Sequence, residues 1–293
     1  MLLAATLSWR AVVAGGTAAG PGATRPIQIT DGASRIISLA PSTTEQLFEI
    51  GVGDRVIGTS ASSDFPPPAL KIPVVSGPGG VDLERIAALH PDLVVLWGSG
   101  YPPSTRQALA RLGVPVFVSE PASLESIARS MEQLGQLTDA PDALLKATQF
   151  RARLAHLREQ YGGRRPLRAF YQVWAQPLMT LSGHHVVSEA LRLCGARNIF
   201  SDLTALVPTV SPEAVIAADP EVILTSEAGG ADHGALKFWQ RYPFISAVAN
   251  HQLLTLDANR IDRAAPRMLD EAQRMCELFD AARAAGAPRA RPK

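Results

Sequence analysis

The pattern of hydrophobic and polar positions in this chain is repeated once. In residues 84–96, apolar positions at helical spacing follow Glu84, and a Pro-Asp pair then precedes a continuous aliphatic run. Residues 213–224 show the same order, with Glu213, a short apolar helix, a Pro-Glu pair and a second aliphatic run. Helical spacing before a proline and an unbroken aliphatic run after it are typical of a helix followed by a strand. Two copies predict two similar lobes.

Strand and helix patterns alternate around both copies of the repeat. The predicted strands are residues 35–40, 55–59, 93–97, 114–118, 168–173, 222–224 and 252–256, and the predicted helices are residues 45–50, 104–112, 124–137, 187–193, 238–247 and 265–285. Residues 41–44 are predicted as a loop with a helix-capping signal, and residues 257–263 as a loop. The alternation predicts an α/β fold whose central sheets are mostly parallel, with helices on both faces.

One long helix separates the two series. Residues 142–160 carry apolar side chains at helical spacing, and about twenty residues at 1.5 Å each span roughly 30 Å, enough to bridge two lobes. Gly162 and Gly163 end this helix. We therefore expect an N-terminal α/β lobe over 34–140, a connecting helix over 141–163 and a C-terminal α/β lobe over 164–285.

Both ends of the chain are predicted to lie outside the lobes. Residues 1–33 have the small and apolar composition of a secretory leader with a spacer, although Arg10 interrupts the apolar run and a basic n-region is missing. Residues 286–293 are predicted as a disordered tail. No other stretch of the sequence reaches the ~18 apolar residues of a membrane span.

The two cysteines, Cys194 and Cys276, form no Cys-x-x-Cys motif. Two separate buried thiols are one interpretation. If the leader is functional, a disulfide between them is favoured, because exported chains oxidise their thiols. Such a bond would tie the C-terminal helix to the second lobe.

Composition and short motifs exclude several classes of function. With 28 basic and 27 acidic side chains, the net charge of +1 gives no electrostatic reason to expect nucleic acid as a partner. The chain has no phosphate-binding P-loop, no dinucleotide-binding glycine fingerprint after its first strand and no nucleophile elbow. An α/β enzyme is therefore the less favoured hypothesis, although fold alone does not decide function.

Five segments in order along both lobes resemble one protein family. They are residues 35–45, 64–66, 82–86 with 91–94, 193–200 and 262–267. Together with the two lobes and the connecting helix, they resemble the helical-backbone (class III) periplasmic substrate-binding proteins of ABC importers, most nearly the cobalamin-binding branch. The resemblance covers about residues 34–285. It implies a periplasmic protein that captures a corrinoid such as cobalamin (vitamin B12) between its lobes and delivers it to the importer's membrane subunits. Haem or a ferric siderophore is the alternative ligand. We expect a monomer with no cofactor and no metal site of its own.

In that family the ligand lies in the cleft between the lobes, where loops at the carboxyl ends of the strands meet it. A corrinoid is a broad plate with an apolar face and a polar rim, so its site needs flat side chains and a few hydrogen-bond donors. The predicted ligand-binding residues are Trp97, Trp174, Phe65, Tyr101, Met179, Asn259 and Arg263. Trp97 and Trp174 are expected at corresponding places in the two lobes. Packing is the alternative role for the aromatic side chains, and a salt bridge with Asp262 or a helix-capping contact is the alternative for Arg263.

The sequence departs from the cobalamin-binding pattern at three positions. Where that pattern carries aromatic residues, this chain has Ser62, Pro78 and Val207. A smaller or differently shaped corrinoid, or another metal chelate, would suit walls altered in this way.

Haem would need an axial ligand on its iron. The candidates near a cleft loop are Tyr101, Met179 and the His184-His185 pair, for which helix capping or exposure to solvent is the preferred interpretation. The remaining histidines are scattered without the spacing of a metal site, so no zinc site is expected.

Glu84 and Glu213 begin the two copies of the repeat. A carboxylate near a helix N-terminus is favoured by the exposed N–H groups and the macrodipole, so helix capping is one role for each. The resemblance implies a second role, because these residues look like the surface glutamates that dock onto arginines of the importer's membrane subunits.

Overall fold

A computed structural model describes residues 32–231 and 233–285 of the chain. The predicted leader and spacer, residues 1–33, lie outside the described residues except for Gly32 and Ala33. The predicted tail, residues 286–293, lies wholly outside them.

The N-terminal lobe is built on a six-stranded sheet. Its elements in chain order are β1 (Ile36–Ser38), α1 (Pro41–Glu49), β2 (Val56–Ser60), β3 (Val74–Gly77), β4 (Gly80–Val81), α2 (Leu83–Ala88), β5 (Leu93–Trp97), α3 (Pro103–Arg111), β6 (Val116–Ser119) and α4 (Leu124–Thr138). The strand order is β4-β3-β2-β1-β5-β6, and all neighbours are parallel except the β3–β4 hairpin. The sheet confirms the predicted fold class for this half of the chain.

The C-terminal lobe follows the long helix α5 (Ala143–Tyr161). Its elements in chain order are β7 (Leu167–Gln172), β8 (Trp174–Ala175), β9 (Leu178–Met179), α6 (Val186–Leu193), β10 (Ala196–Asn198), α7 (Pro212–Ala218), β11 (Val222–Glu227), α8 (Ser246–Ala249), β12 (Leu253–Asp257), α9 (Ala258–Ile261) and α10 (Met268–Ala285). The sheet order β10-β7-β11-β12 is parallel throughout, and β8 and β9 form a separate hairpin.

The two sheets share one strand order. β2-β1-β5-β6 in the first lobe corresponds to β10-β7-β11-β12 in the second, and the repeated stretches form α2 with β5 and α7 with β11. The duplication read from the hydrophobic pattern is therefore a duplication of structure.

The acidic residue after each repeat proline has the same structural task in both lobes. Asp92 accepts a hydrogen bond from the Arg35 backbone N–H at 2.9 Å, and Glu221 accepts one from the Arg168 backbone N–H at 3.0 Å. The Arg35 guanidinium donates to the Leu89 and His90 carbonyls, and that of Arg168 donates to the Asp219 carbonyl. Each arginine thus satisfies carbonyls at the end of the repeat helix that have no partner within the helix.

One continuous apolar core joins the lobes on the side of α5. It includes Leu134 of α4, Leu154 of α5, Leu191 of α6 and Phe279 of α10, all buried. Because α5 buries residues of this cluster along its length, it connects the sheets through packing as well as through the chain. Within residues 32–231 and 233–285, no helix has both the length and the apolarity needed to cross a membrane.

The loop predicted for residues 41–44 is wrong, because α1 begins at Pro41. Proline is favoured in the first turn of a helix, where its missing N–H would have no partner in any case. The hydroxyls of Ser38, Thr43 and Thr44 are buried and bond to one another or to the Ala40 carbonyl, so this apparently polar loop belongs to the interior.

The helix predicted for residues 238–247 is also wrong, since a 3-10 helix over Lys237–Arg241 and the short α8 stand in its place. Pro243 lies between them, and a proline inside a helix removes a hydrogen bond and clashes with the preceding turn. The segment predicted as a loop over 257–263 contains α9, and the closing helix starts at Met268 rather than at residue 265.

A disulfide joins Cys194, at the end of α6, to Cys276 in α10. The Cα atoms are 4.6 Å apart and the sequence separation is 82 residues. The bond ties the closing helix to the second lobe, as expected for the oxidised alternative.

Replacing both cysteines with alanine (Cys194→Ala with Cys276→Ala) should lower the free energy of unfolding by about 2–5 kcal/mol, because the unfolded chain regains the freedom of a long closed loop. Urea unfolding of the variant and of the oxidised protein measures this difference. Reducing agent should lower the stability of the oxidised protein and leave the variant unchanged. Equal stability of the variant and the oxidised protein would contradict the prediction.

Candidate functional site

The loops that follow the central strands converge from both lobes. Phe65 follows β2, Trp97 ends β5, Trp174 follows β7, and Arg263 lies beyond β12 and α9. Carboxyl ends of parallel strands are the usual place for ligands in open α/β sheets. Contacts of Arg263 with Asp64 and of Arg267 with Phe65 show that the carboxyl edges of the two lobes meet.

A buried ion cluster links the lobes at this edge. The Glu45 carboxylate of α1 accepts hydrogen bonds from Arg267 at 2.8 Å and 2.5 Å and from Arg263 at 3.3 Å. Only 3% of the Glu45 side chain is exposed. Arginine can bind a carboxylate through two parallel N–H groups, which makes this a strong and directional contact between the lobes. The side-chain amide of Gln46 adds a bond to the Ala264 carbonyl at 2.8 Å.

Three predicted ligand-binding residues lie in or on this cluster. Arg263 donates to Asp64 at 2.5 Å and to the side-chain oxygen of Asn259 at 2.9 Å, and the Arg267 guanidinium stacks 3.6 Å above the Phe65 ring. The hydrogen bond from Arg263 holds the pKa of the Asp64 carboxyl below its ordinary value. The structure thus brings Phe65, Asn259 and Arg263 together.

The salt bridge between Arg263 and Asp262, considered as an alternative to rim binding, does not form. The Asp262 carboxylate instead accepts hydrogen bonds from the Tyr171 hydroxyl at 3.0 Å and the Ser226 hydroxyl at 2.6 Å. Arg263 is paired with Asp64 and Glu45 from the opposite lobe, a contact that sequence proximity does not reveal.

Trp97 offers a flat, exposed surface at the end of β5. Its ring lies against Gly100, where a Cβ atom would be 2.4 Å from the ring, and 44% of the residue is exposed. Tyr101 in the same loop donates to the Leu39 carbonyl at 2.7 Å and pairs with the Ser76 hydroxyl at 2.8 Å. The Tyr101 hydroxyl is therefore engaged within the first lobe, while the Trp97 ring is free to meet a ligand.

Trp174 and Met179 face each other in the β8–β9 hairpin. Trp174 is 62% exposed, and its indole N–H donates to the Gln176 carbonyl at 2.9 Å. The expectation that Trp97 and Trp174 occupy corresponding places is wrong. β5 corresponds to β11, so Trp97 lies at the level of Ser226, whereas Trp174 follows β7, the counterpart of β1.

The three positions that depart from the cobalamin-binding pattern differ in their exposure to solvent. Ser62 and Pro78 are exposed in loops of the first lobe, whereas Val207 is partly buried and packs against the main core.

The two candidate histidines differ in environment. His184 is exposed, whereas His185 is partly buried and accepts a hydrogen bond from the Val187 N–H through Nδ1 at 3.2 Å. Burial lowers the pKa of His185, and the negative charge of Glu120 opposes that effect. His185 thus caps α6, as the preferred interpretation expects. Among the residues that the structure describes, no cluster of three His, Cys, Asp or Glu side chains could hold a metal ion.

Glu84 and Glu213 are the second residues of α2 and α7, and both are exposed. The capping bonds come from other side chains, since Asp82 accepts from the Arg85 N–H at 2.9 Å and Ser211 accepts from the Ala214 N–H at 3.2 Å. The two glutamates are therefore not needed as caps. The pKa of Glu213 lies below its ordinary value because its carboxylate accepts bonds from its own backbone N–H and from Ser211.

Sequence reasoning assigned no role to Glu45, Asp64, Arg267 or Glu120. The first three lie within the segments that resemble the family, and this position could have identified them as candidate site residues. Glu120 follows β6, and only the sheet order shows that it stands next to the end of β5.

The chain matches the family profile described as periplasmic binding protein over residues 36–260. It is 39% identical over 245 residues to a vitamin B12-binding protein of Vibrio cholerae serotype O1, an alignment that covers 83% of this chain and 88% of the relative. A vitamin B12-binding protein of Yersinia pestis is 39% identical over 246 residues, with 84% and 86% covered.

Solved structures show the same fold. The periplasmic vitamin B12 binding protein BtuF of Vibrio cholerae superposes with a TM-score of 0.79 at 37% identity, covering 86% of this chain and 98% of that one. The periplasmic heme-binding protein RhuT of Roseiflexus sp. RS-1 superposes with a TM-score of 0.75 at 24% identity, covering 86% and 99%. The second likeness concerns the fold alone.

The substitution Glu45→Gln should lower the free energy of unfolding by about 2–4 kcal/mol, because two mostly buried arginines lose their shared charged acceptor. Glu49→Gln is a matched control in the same helix, since the Glu49–Lys146 pair is more than one third exposed on both sides and should contribute less than about 1 kcal/mol. Urea unfolding of both variants measures the two effects. Equal losses would show that the cluster is no stronger than a surface ion pair.

Proposed function

The chain belongs to the periplasmic binding protein family, and we propose that it captures a corrinoid such as vitamin B12 between its lobes for delivery to an ABC importer. The observation that supports this proposal is the exposure of two tryptophans at the carboxyl ends of central strands, Trp97 at the end of β5 and Trp174 two residues after β7. Relatives at 39% identity over most of the chain are vitamin B12-binding proteins, which supports the choice of ligand.

The side chains of the cleft suit a flat ligand with a polar rim. Indole rings offer large apolar faces, and the exposed rings of Trp97 and Trp174 bury more area when a plate stacks on them. Phe65 extends this surface with its ring backed by Arg267, and Met179 supplies a flexible side chain next to Trp174. Ser62 and Pro78 are exposed in loops of the first lobe, and the smaller side chain of Ser62 suits a ligand of a somewhat different shape there.

Arg263 and Asn259 are expected to form hydrogen bonds with the polar rim of the corrinoid. Arg263 uses its two terminal nitrogens for Glu45, Asp64 and Asn259, while a guanidinium carries five N–H donors in all. The donors that remain, or those released when the exposed Asp64 carboxylate turns to solvent, bind carbonyl oxygens on the ligand rim.

Haem and ferric siderophores are the alternative ligands. For haem, Tyr101 would have to give up its bonds to the Leu39 carbonyl and Ser76 in order to reach an iron. His185 would have to release the Val187 N–H if it bound the iron through Nδ1. The cost at Tyr101 favours a corrinoid whose cobalt already carries its axial ligands, and so needs none from the protein, over haem.

Cyanocobalamin should raise the melting temperature of the purified protein by several degrees, because a ligand at about 100 times its dissociation constant adds about 2.7 kcal/mol to stability. A thermal-shift and absorbance screen with cyanocobalamin, cobinamide, haem and a ferric siderophore measures this. Trp97→Ala and Trp174→Ala should each reduce the shift. Phe244→Ala is the control, because Phe244 is an exposed aromatic residue that precedes α8 at the amino end of β12, away from the cleft. If no corrinoid shifts the wild-type protein while haem does, the alternative replaces this proposal.

Delivery to the importer is proposed to use Glu84 and Glu213. Both occupy the second position of a short helix in equivalent parts of the two lobes, both are exposed, and neither serves as the helix cap. Two equivalent carboxylates, one on each lobe, fit a two-point contact with arginines of the membrane subunits.

Charge reversal by Glu84→Arg or Glu213→Arg should abolish stimulation of the importer's ATPase in reconstituted vesicles and leave the affinity for cyanocobalamin unchanged. Like charges across the interface would repel, whereas neither residue lies in the cleft. Glu159→Arg, an exposed position on α5, is the control for a change in surface charge alone. Loss of ligand binding in either glutamate variant would instead identify that residue as part of the pocket or the fold.

A further inference from the structure

The ion cluster at the carboxyl edges of the lobes is electrically balanced. Glu45 and Asp64 carry the negative charges, and Arg263 and Arg267 carry an equal number of positive charges. Within residues 32–231 and 233–285, no other charged side chain forms an ion pair with any of these four. A ligand that meets the cluster therefore meets a net charge of zero.

The charge of Arg263 is balanced mainly by Asp64. The Arg263 guanidinium donates to Asp64 at 2.5 Å and to Glu45 at 3.3 Å. Arg267 binds Glu45 more closely, at 2.8 Å and 2.5 Å. Since charge-assisted bonds between nitrogen and oxygen are usually about 2.7–2.9 Å long, the contact at 3.3 Å is the weakest of these. The cluster thus consists of a Glu45–Arg267 pair and an Asp64–Arg263 pair.

Asp64 is the member of the cluster that is open to a ligand. Its side chain is 47% exposed, whereas that of Arg263 is 12% exposed and that of Glu45 is 3% exposed. Asp64 lies in the loop after β2 of the first lobe, so its bond to Arg263 crosses the boundary between the lobes. A carboxylate has about four lone-pair sites, so Asp64 can accept further hydrogen bonds. The hydrogen bond from Arg263 keeps the pKa of Asp64 below its ordinary value, and Asp64 is therefore charged at neutral pH.

We infer that Asp64 determines which rim charge the cleft accepts, because it cancels the charge of Arg263 and leaves a neutral pair that favours amides over carboxylates. This inference rests on the proposed function, in which Arg263 meets the rim of a corrinoid. A primary amide presents a carbonyl acceptor to Arg263 and N–H donors to Asp64. A carboxylate presents acceptors alone, and Asp64 repels its negative charge. Without the charge of Asp64, Arg263 would attract a carboxylate.

The test uses two ligands with the same corrin ring, dicyanocobinamide with a rim of amides and dicyanocobyrinic acid with a rim of carboxylates. Isothermal titration calorimetry at neutral pH measures both affinities for the wild-type protein and for three variants at Asp64. Asp64→Asn and Asp64→Ser remove the charge with side chains of different size, whereas Asp64→Glu keeps the charge. The melting temperature of each ligand-free variant shows whether it is folded.

Asp280→Asn is the matched control, because Asp280 is also a partly exposed aspartate that pairs with arginine. Its carboxylate pairs with Arg283 at 2.7 Å and with Arg164 at 3.3 Å. It lies about 18 Å along α10 from Met268, and Arg283 donates to the Arg165 carbonyl just before β7, at the amino edge of the second sheet. The control removes the same charge from the protein and leaves the cluster intact.

The wild-type protein should bind dicyanocobinamide at least about tenfold more tightly than dicyanocobyrinic acid. Asp64→Asn and Asp64→Ser should each reduce this preference by about tenfold, mainly through tighter binding of the carboxylate ligand, because the cluster is left with a net positive charge. Asp64→Glu and Asp280→Asn should keep the preference of the wild-type protein.

The outcomes separate this inference from the proposed function. If the neutral variants change both affinities by the same factor, or change neither, the role in charge selection is wrong and the proposed function stands. The same conclusion follows if the wild-type protein binds both ligands equally well, or if Asp280→Asn reduces the preference as much as Asp64→Asn does. If the wild-type protein binds neither dicyanocobinamide nor cyanocobalamin, the proposed function fails and this inference fails with it.

Discussion

The shared acceptor Glu45 is the interaction on which the geometry of the cleft depends. It lies almost fully buried between Arg263 and Arg267, and it connects α1 of one lobe to the segment that follows α9 of the other. Burying charged groups is costly, and the cost is offset here by two-point hydrogen bonding and by the additional acceptors Asp64 and Asn259. The apolar core along α5 joins the lobes on one side, and this cluster joins their carboxyl edges. Together they set the separation of the two walls.

The candidate site offers exposed aromatic rings rather than free hydroxyl groups to the proposed ligand. The exposed rings of Trp97 and Trp174 offer a flat apolar surface on which a ligand could stack. Polar groups nearby, such as the Tyr101 hydroxyl, already form hydrogen bonds within the protein. Recognition of a ligand rim therefore depends on polar groups that still have unused hydrogen-bond donors or acceptors. Specificity in this cleft comes from a small number of such groups.

Duplication determined the scaffold but not the ligand surface. Equivalent hydrogen bonds at Asp92 and Glu221 hold the start of a central strand in each lobe, and Arg35 and Arg168 complete the ends of the two repeat helices. The carboxyl edges have diverged, since the β8–β9 hairpin that carries Trp174 has no counterpart in the first lobe. The walls of the two lobes therefore differ, while Glu84 and Glu213 keep equivalent positions in the two repeat helices.

The sequence by itself determined the α/β class, the two lobes, the long helix and the family, because hydrophobic periodicity and repeated motifs are local properties of the chain. It also identified Trp97, Trp174, Phe65 and Arg263 as residues near strand ends. Only the tertiary structure decided the partners of these residues. Arg263 meets Glu45 and Asp64 about two hundred positions away, and Ser99 meets Glu120 because the sheet order places β6 beside β5. Contacts between distant segments depend on how the sheets and helices pack, and no spacing along the chain encodes them directly.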